Sequence, residues 1–235
     1  MIHRATLLLA AALLASVPTF AQPGRPTPAQ VAAMLAEMNR PRPPLLFRIE
    51  WQQPPYSGAL DDAKRRLTPA ALGDPQLELH SYGSDRDNIT VWSHESRHDL
   101  WNGLASSPVA VTVSERNSWV DLRGLARLRW MIRTNGLHEI HPVVKLADGT
   151  LLVGSQRFAT EGEYVEEEVD FGEQLNPHWF HLDPDKVTVG SEVLHPDLSR
   201  VDEVGFVDLM PGGGHGIAGH VNVSDMELYA QATRR

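Results

Sequence analysis

The chain of 235 residues contains no cysteine. That absence removes disulfide cross-links, thiolate metal ligands and a thiol nucleophile together. Any domain here must therefore be stabilised by its own apolar core. Long apolar runs are also missing after the N-terminal stretch, and none approaches the roughly 20 residues needed to span a bilayer. Positive charge is scarce: 21 Lys and Arg stand against 30 Asp and Glu, a net charge of −9. A nucleic-acid surface needs clustered Lys and Arg, so nucleic acid is not an expected partner. No GK[ST] phosphate loop or GxSxG nucleophile elbow occurs. The five residues HESRH at 94–98 match HExxH, but His94 and His98 would meet only on a helix, and this short segment follows an expected strand, so they are expected to be ordinary surface or core histidines. Amphipathic helical patterns are absent between the apolar alternations, which argues against βαβ units and a parallel sheet.

What is present begins with MIHRATLLLAAALLASVPTFAQ. His3 and Arg4 make a polar, cationic start, Leu7 to Val17 an apolar run, and Ala21 the small residue that a signal peptidase requires. Residues 1–21 are expected to be a cleaved secretory signal, leaving Gln22 first and placing the mature chain in the periplasm or outside the cell. Residues 22–44 are proline-rich and bracket PAQVAAMLAEMN. Thr27 is placed to cap a short helix, with Pro28 at its first position and Gln30 three residues beyond the cap. This segment is expected to be a tether, followed by one domain over 45–230 and a tail over 231–235.

From Leu45 onward the pattern is that of strands. Strands are expected near 46–51, 77–83, 88–93, 108–115, 125–134, 138–146, 150–155, 164–171, 179–183, 186–190, 203–209 and 220–230. In 125–134, Leu128, Trp130 and Ile132 alternate with Arg127, Arg129 and Arg133; in 108–115, Val109, Val111 and Val113 alternate with Ala110, Thr112 and Ser114. Such period two means one buried face and one wetter face. Many short strands with Gly, Pro and Asp turns predict an all-β, antiparallel β-sandwich or jelly roll.

The run DLMPGGGHGIAGHVNV, residues 208–223, falls between two expected strands. No helix follows to offer free amides to a phosphate, so it is expected to be a conformationally demanding loop at the sandwich rim. Asp208, His215 and His220 are its candidate ligand contacts, and a metal site there is the weaker alternative. His138 and His141 are expected on opposite faces of one strand, unable to chelate together. Glu166, Glu167 and Glu168 are expected to be solvated surface. Among the aromatics, Trp92 and Trp130 are expected in the core. Trp101 and Trp119 lie beside turn-like residues and are the better candidates for a sugar-stacking platform, with Asp148 as a further polar contact.

The segments FRIEW, DLWNGLASSPVAVTV, VDLRGLARLRWMIRTNGLHEIHPVVKLADGTLLVG and PDLSRVDEVGFVDLMPGGGHGIAGHVNVSDMELYA together resemble a galactose-binding-like β-sandwich. The likeness covers about residues 45–230 and extends to a group of exported bacterial proteins of that fold. It implies a noncatalytic carbohydrate-binding module with a structural calcium, for which Asp225 and Glu227 on the last strand best match the family's calcium-proximal end. A carbohydrate is then the expected partner, contacted through Trp101, Trp119, Asp148, Asp208, His215 and His220. Two alternatives accompany this reading. One is a glycan-active enzyme using Asp148, Asp208 or His215 across a cleft; the other is an envelope interaction domain with a broad exposed apolar patch.

Overall fold

The computed structural model describes residues 27–38, 41–53, 61–94, 97–172, 178–215 and 219–235. The expected secretory signal and residues 216–218 of the glycine-rich loop lie outside the described residues. The chain divides into two compact units, Met1–Pro41 and Arg42–Arg235. The described part of the first is the helix α1 (Pro28–Met38). Its start is a reciprocal capping box, with Thr27 N donating to Gln30 Oε1 at 2.8 Å and Gln30 N donating to Thr27 Oγ1 at 3.2 Å. No helix among the described residues is long and apolar enough to cross a membrane.

The second unit is all β. In chain order its strands are β1 (Leu45–Glu50), β2 (Leu77–Tyr82), β3 (Thr90–His94), β4 (Arg97–Trp101), β5 (Val109–Glu115), β6 (Ser118–Asp121), β7 (Arg127–Thr134) and β8 (Ile140–Leu146). They continue with β9 (Leu151–Gly154), β10 (Val165–Asp170), β11 (Trp179–Leu182), β12 (Val189–Val193), β13 (Val201–Asp208), β14 (Val221–Tyr229) and β15 (Gln231–Arg234). The first sheet has the order β10-β7-β14-β4-β3, with β1 also pairing with β14. The second has the order β12-β11-β9-β8-β13-β5-β2, with β6 joined to β13 and β15 to β6. The pairings within both sheets are antiparallel.

The sheets face each other across one core. Leu128, Trp130 and Ile132 of β7 and Val223, Met226 and Leu228 of β14 pack in the same cluster as Val111 and Val113 of β5 and Val204 and Phe206 of β13. This is the expected antiparallel β-sandwich. The alternation of β7 is followed in full: its even-numbered residues are buried, and the arginines face outward. Close packing at the centre of the second sheet depends on Gly205, where an added Cβ would lie 2.0 Å from the Val111 carbonyl oxygen.

Two expectations fail in the second sheet. The Ala110, Thr112 and Ser114 face of β5 is buried rather than wet. A second apolar cluster of Ala110, Val143, Leu151, Val153, Leu182, Val187 and Val207 covers part of this outer side. Beside it, the fully buried Glu203 accepts hydrogen bonds from Tyr82 Oη at 2.6 Å, Lys145 Nζ at 2.7 Å and the Thr112 hydroxyl. The strand expected at 186–190 starts instead at Val189, because Val187 takes a left-handed conformation (φ 52°) and its N–H closes a turn onto Asp183 O at 2.8 Å. Strands β4, β6 and β15 were not expected; β15 lies in the segment read as a tail and pairs with β6.

Candidate functional site

Strand register assembles the site on the outer face of the first sheet. Asn222 of β14 is paired with Arg133 of β7 on one side and with Trp101 of β4 on the other. Trp101 is in turn paired with Thr90 of β3, and two residues along the same strands Asp99 is paired with Trp92. Tyr164 precedes β10, whose first residue, Val165, pairs with Ile132 beside Arg133. The glycine-rich loop after β13 brings Gly214 and His215 to the same place, and His220 immediately precedes β14. Together with Ser93 these residues line a depression of about 160 Å³.

One side of the depression is aromatic. The Trp92 and Trp101 ring centroids are 5.2 Å apart at 70°. His215 lies 5.1 Å from Trp101 and 5.6 Å from Trp92, and His220 approaches Trp101 edge-on at 5.8 Å. A short 3-10 turn, Asp62–Arg65, braces this side from outside. Its Arg65 guanidinium sits 3.8 Å over the Trp92 ring, and Asp62 Oδ2 is 2.9 Å from His215 Nε2.

The other side is polar. The Tyr164 hydroxyl donates to the buried Asp99 carboxylate. Burial and then that acceptor push the Tyr164 pKa far above the usual phenol range, so it remains a protonated donor. Burial, followed by the positive charge of Arg133 and by His138, pushes the His220 pKa below the ordinary histidine value. Its ring is therefore neutral, and with the Asn135 side-chain amide 2.9 Å from Nε2 the proton belongs on Nδ1. That Nδ1, Asn222 Oδ1 and Arg133 Nε are all buried without a hydrogen-bond partner. An unsatisfied buried polar atom costs about 1–3 kcal/mol, and all three belong to residues that line this one depression.

Of the residues singled out from sequence, Trp101, His215 and His220 come together here. Asp208 lies behind the site and is only 1% exposed. Its Oδ2 accepts from Asn102 Nδ2 and pairs with His138 Nδ1, each at 2.6 Å, and its Oδ1 accepts from Met210 N at 2.9 Å. Asn102 Oδ1 accepts in turn from Val221 N at 2.8 Å, so Asp208 anchors the start of β14 and does not reach the depression. Trp119 and Asp148 lie at the opposite end of β13. That end, Val201, pairs with Val120 and Leu146, whereas Asp208 pairs with Ile140. Trp119 is covered by Arg235 at 4.4 Å, and the exposed Asp148 accepts from Thr150 N at 2.9 Å.

Asp225 and Glu227, the residues matched to a structural calcium, share the outer face. Glu227 lies 3.4 Å from Arg48 and 3.6 Å from Arg129, and accepts from Tyr229 Oη at 2.6 Å. Burial pushes the Asp225 carboxyl up, toward its uncharged form. Calcium needs six to eight oxygens, and here guanidinium groups occupy the space around the acid. Among the described residues no group of three or more histidines and carboxylates could hold a metal ion.

Trp92, Asp99, Arg133, Tyr164 and Asn222 were not singled out as a site from sequence. Trp92, expected in the core, faces outward and lines the depression. The alternation in β7 does turn Arg133 outward, but its neighbours come from β14 and from the approach to β10. Those neighbours are set by sheet order rather than by local pattern.

No protein-family model matches the chain, and neither does any curated protein sequence. Among solved structures, the chain is similar to an exo-beta-agarase at 13% identity and a TM-score of 0.41, covering 68% of this chain and 24% of the agarase. It is similar to the family 11 carbohydrate-binding module of the cellulosomal cellulase Lic26A-Cel5E of Clostridium thermocellum at 10% identity and a TM-score of 0.37, covering 67% of this chain and 85% of the module. A family 30 carbohydrate-binding module gives 13% identity and a TM-score of 0.34, covering 79% of this chain and all (100%) of the module. The two-sheet architecture follows from the strand pairing described above.

Proposed function

We propose that this protein binds carbohydrate in the depression on the outer face of its first sheet, as an exported and noncatalytic module. The observation that carries this reading is the meeting of the Trp92–Trp101 pair with three unpartnered buried polar atoms in one depression. A sugar ring offers apolar C–H faces and a girdle of hydroxyls, and a site for it needs aromatic surface beside fixed donors and acceptors. Trp92 and His215 provide the aromatic wall. His220 acts as a donor through Nδ1–H and Asn222 Oδ1 as an acceptor, while the Tyr164 oxygen, its proton given to Asp99, is a further acceptor. The N-terminal apolar run supports export.

The catalytic alternative weighed from sequence does not assemble, since Asp148 is at the far end of β13 and Asp208 is enclosed by its own partners. The interaction-domain alternative lacks its motivating feature: the large apolar side chains exposed among the described residues, such as Leu137, Val165, Val189 and Leu194, are spread over separate loops and strands.

Affinity electrophoresis of the full chain through gels containing different polysaccharides tests the reading. At least one glycan should retard the wild type, and Trp92→Ala should lower the affinity by roughly ten-fold or more, as for loss of a ring contact of about 1.5 kcal/mol. Unretarded migration on every polysaccharide, or retardation untouched by Trp92→Ala in a normally folded variant, would overturn it.

A further inference from the structure

Resting on that carbohydrate reading, we propose that the sugar recognised is an acidic one, its carboxylate or sulfate oxygens held by Arg133 with the Nδ1–H of His220. The basis is a break in charge pairing along β7. Its outward residues are Arg127, Arg129, Met131 and Arg133. Arg127 lies 3.1 Å from Glu168, and Arg129 lies 3.5 Å from Glu166 and 3.6 Å from Glu227. On the far side of β14, Arg48 is paired with Glu50 at 2.7 Å. Glu166 and Glu168 come from alternate positions of β10 and Glu227 from β14, the strands on either side of β7, whereas Glu50 belongs to β1 with Arg48.

At Arg133 that supply ends. The next alternate position before Glu166 is Tyr164, and the partner on β14 is Asn222, so neither neighbouring strand presents an acid there. Arg133 forms no ion pair among the described residues, and its buried Nε has no hydrogen-bond acceptor. Asn222, 8% exposed, has an equally unpartnered Oδ1. Asp99, in the same depression, accepts from the Tyr164 hydroxyl, and Asp62 pairs with His215. The Arg97 guanidinium, 5.2 Å from the Tyr164 ring, and Arg133, 5.7 Å from it, add positive potential on this side. A partly exposed guanidinium without an ion-pair partner matches a planar carboxylate or a sulfate, and the neutral His220 contributes a donor without a charge cost.

Isothermal titration of the full chain separates the possibilities, using oligomers of polygalacturonate and alginate as carboxylated probes, a sulfated galactan, and neutral agarose and β-glucan oligomers. The expected result is tighter binding to a carboxylated or sulfated series than to the neutral ones, weakening as salt is raised. Arg133→Gln should lower that affinity roughly 10- to 100-fold, the range of one charge-assisted hydrogen bond. Arg127→Gln removes the same charge from an already paired position and should leave binding unchanged. Arg133→Lys keeps the charge without the planar fork and should recover only part of the affinity. Carboxylated and sulfated probes distinguish the two sources of the acidic group. Equal binding of neutral and acidic oligomers, or equal losses in Arg127→Gln and Arg133→Gln, overturns the acidic-sugar inference while the carbohydrate reading stands. Binding to none of the probes overturns both.

Discussion

Replacing Asp208 by alanine should unfold this domain more readily rather than only weaken a ligand contact. The carboxylate is 1% exposed and faces three donors, from Asn102, His138 and Met210. Alanine leaves all three without an acceptor, at about 1–3 kcal/mol for each buried donor. Water entering the vacated space recovers part of that, giving an expected loss of about 3–5 kcal/mol. At about 2–4 °C per kcal/mol for a domain of this size, Tm should fall by roughly 6–20 °C. The damage should reach the depression as well, because Asn102 Oδ1 holds Val221 N at 2.8 Å, next to His220 and Asn222. Asp208→Asn keeps the shape but turns an N–H group toward other donors, so it should recover little. Asp148→Ala, at an exposed turn, should stay within about 1 kcal/mol of wild type. Urea unfolding followed by tryptophan fluorescence measures all three. An Asp208→Ala variant as stable as wild type but deficient in glycan retention would refute the reasoning, since the carboxylate would then be a ligand contact rather than a support.

Further expectations concern packing and pH. Gly205→Ala places a methyl group 2.0 Å from the Val111 carbonyl oxygen in the middle of the second sheet, and should yield little folded protein on expression and circular dichroism. For Glu203, burial is the largest single influence and raises the pKa, but hydrogen bonds from Lys145, Thr112 and Tyr82 together bring it below the ordinary value. Its contribution to stability is therefore present above the unfolded carboxyl pKa and lost as pH falls through the lower folded one. Glu203→Gln should cost about 3 kcal/mol at neutral pH, and its difference from wild type should narrow on acidification; a constant difference would refute the assignment. His141 and His220 both have pKa values lowered, chiefly by burial, from an ordinary 6.5. Stability should consequently decline as pH falls below about 6.5, and His141→Gln should reduce that slope in thermal melts at stepped pH.

Much of the architecture was legible as pattern. Alternation in 125–134 located β7 and both its faces, and Thr27, Pro28 and Gln30 defined the helix start, because both features depend on residues a few positions apart. Strand β4 escaped notice because Arg97, His98 and Asp99 hide its alternation. Asp99 is an acid that becomes buried only with Tyr164 of a distant segment donating to it. The outer face of β5 was misjudged for a similar reason: Thr112 and Ser114 look like surface until Glu203, more than 80 positions away, is brought beside them.

The amino-acid sequence by itself determined the all-β class, the antiparallel sandwich, the absence of any thiol chemistry and the place of the glycine-rich segment as a loop between strands. These follow from composition and from periods of two, which each stretch of chain carries alone. Only the tertiary structure decided which candidates meet. It joined Trp101, His215 and His220 to Trp92, Arg133, Tyr164 and Asn222, sent Trp119 and Asp148 to the other end of β13, and enclosed Asp208. The physical reason is that a site on a sheet face is a lateral row across strands, and antiparallel pairing draws its members from segments far apart in the chain.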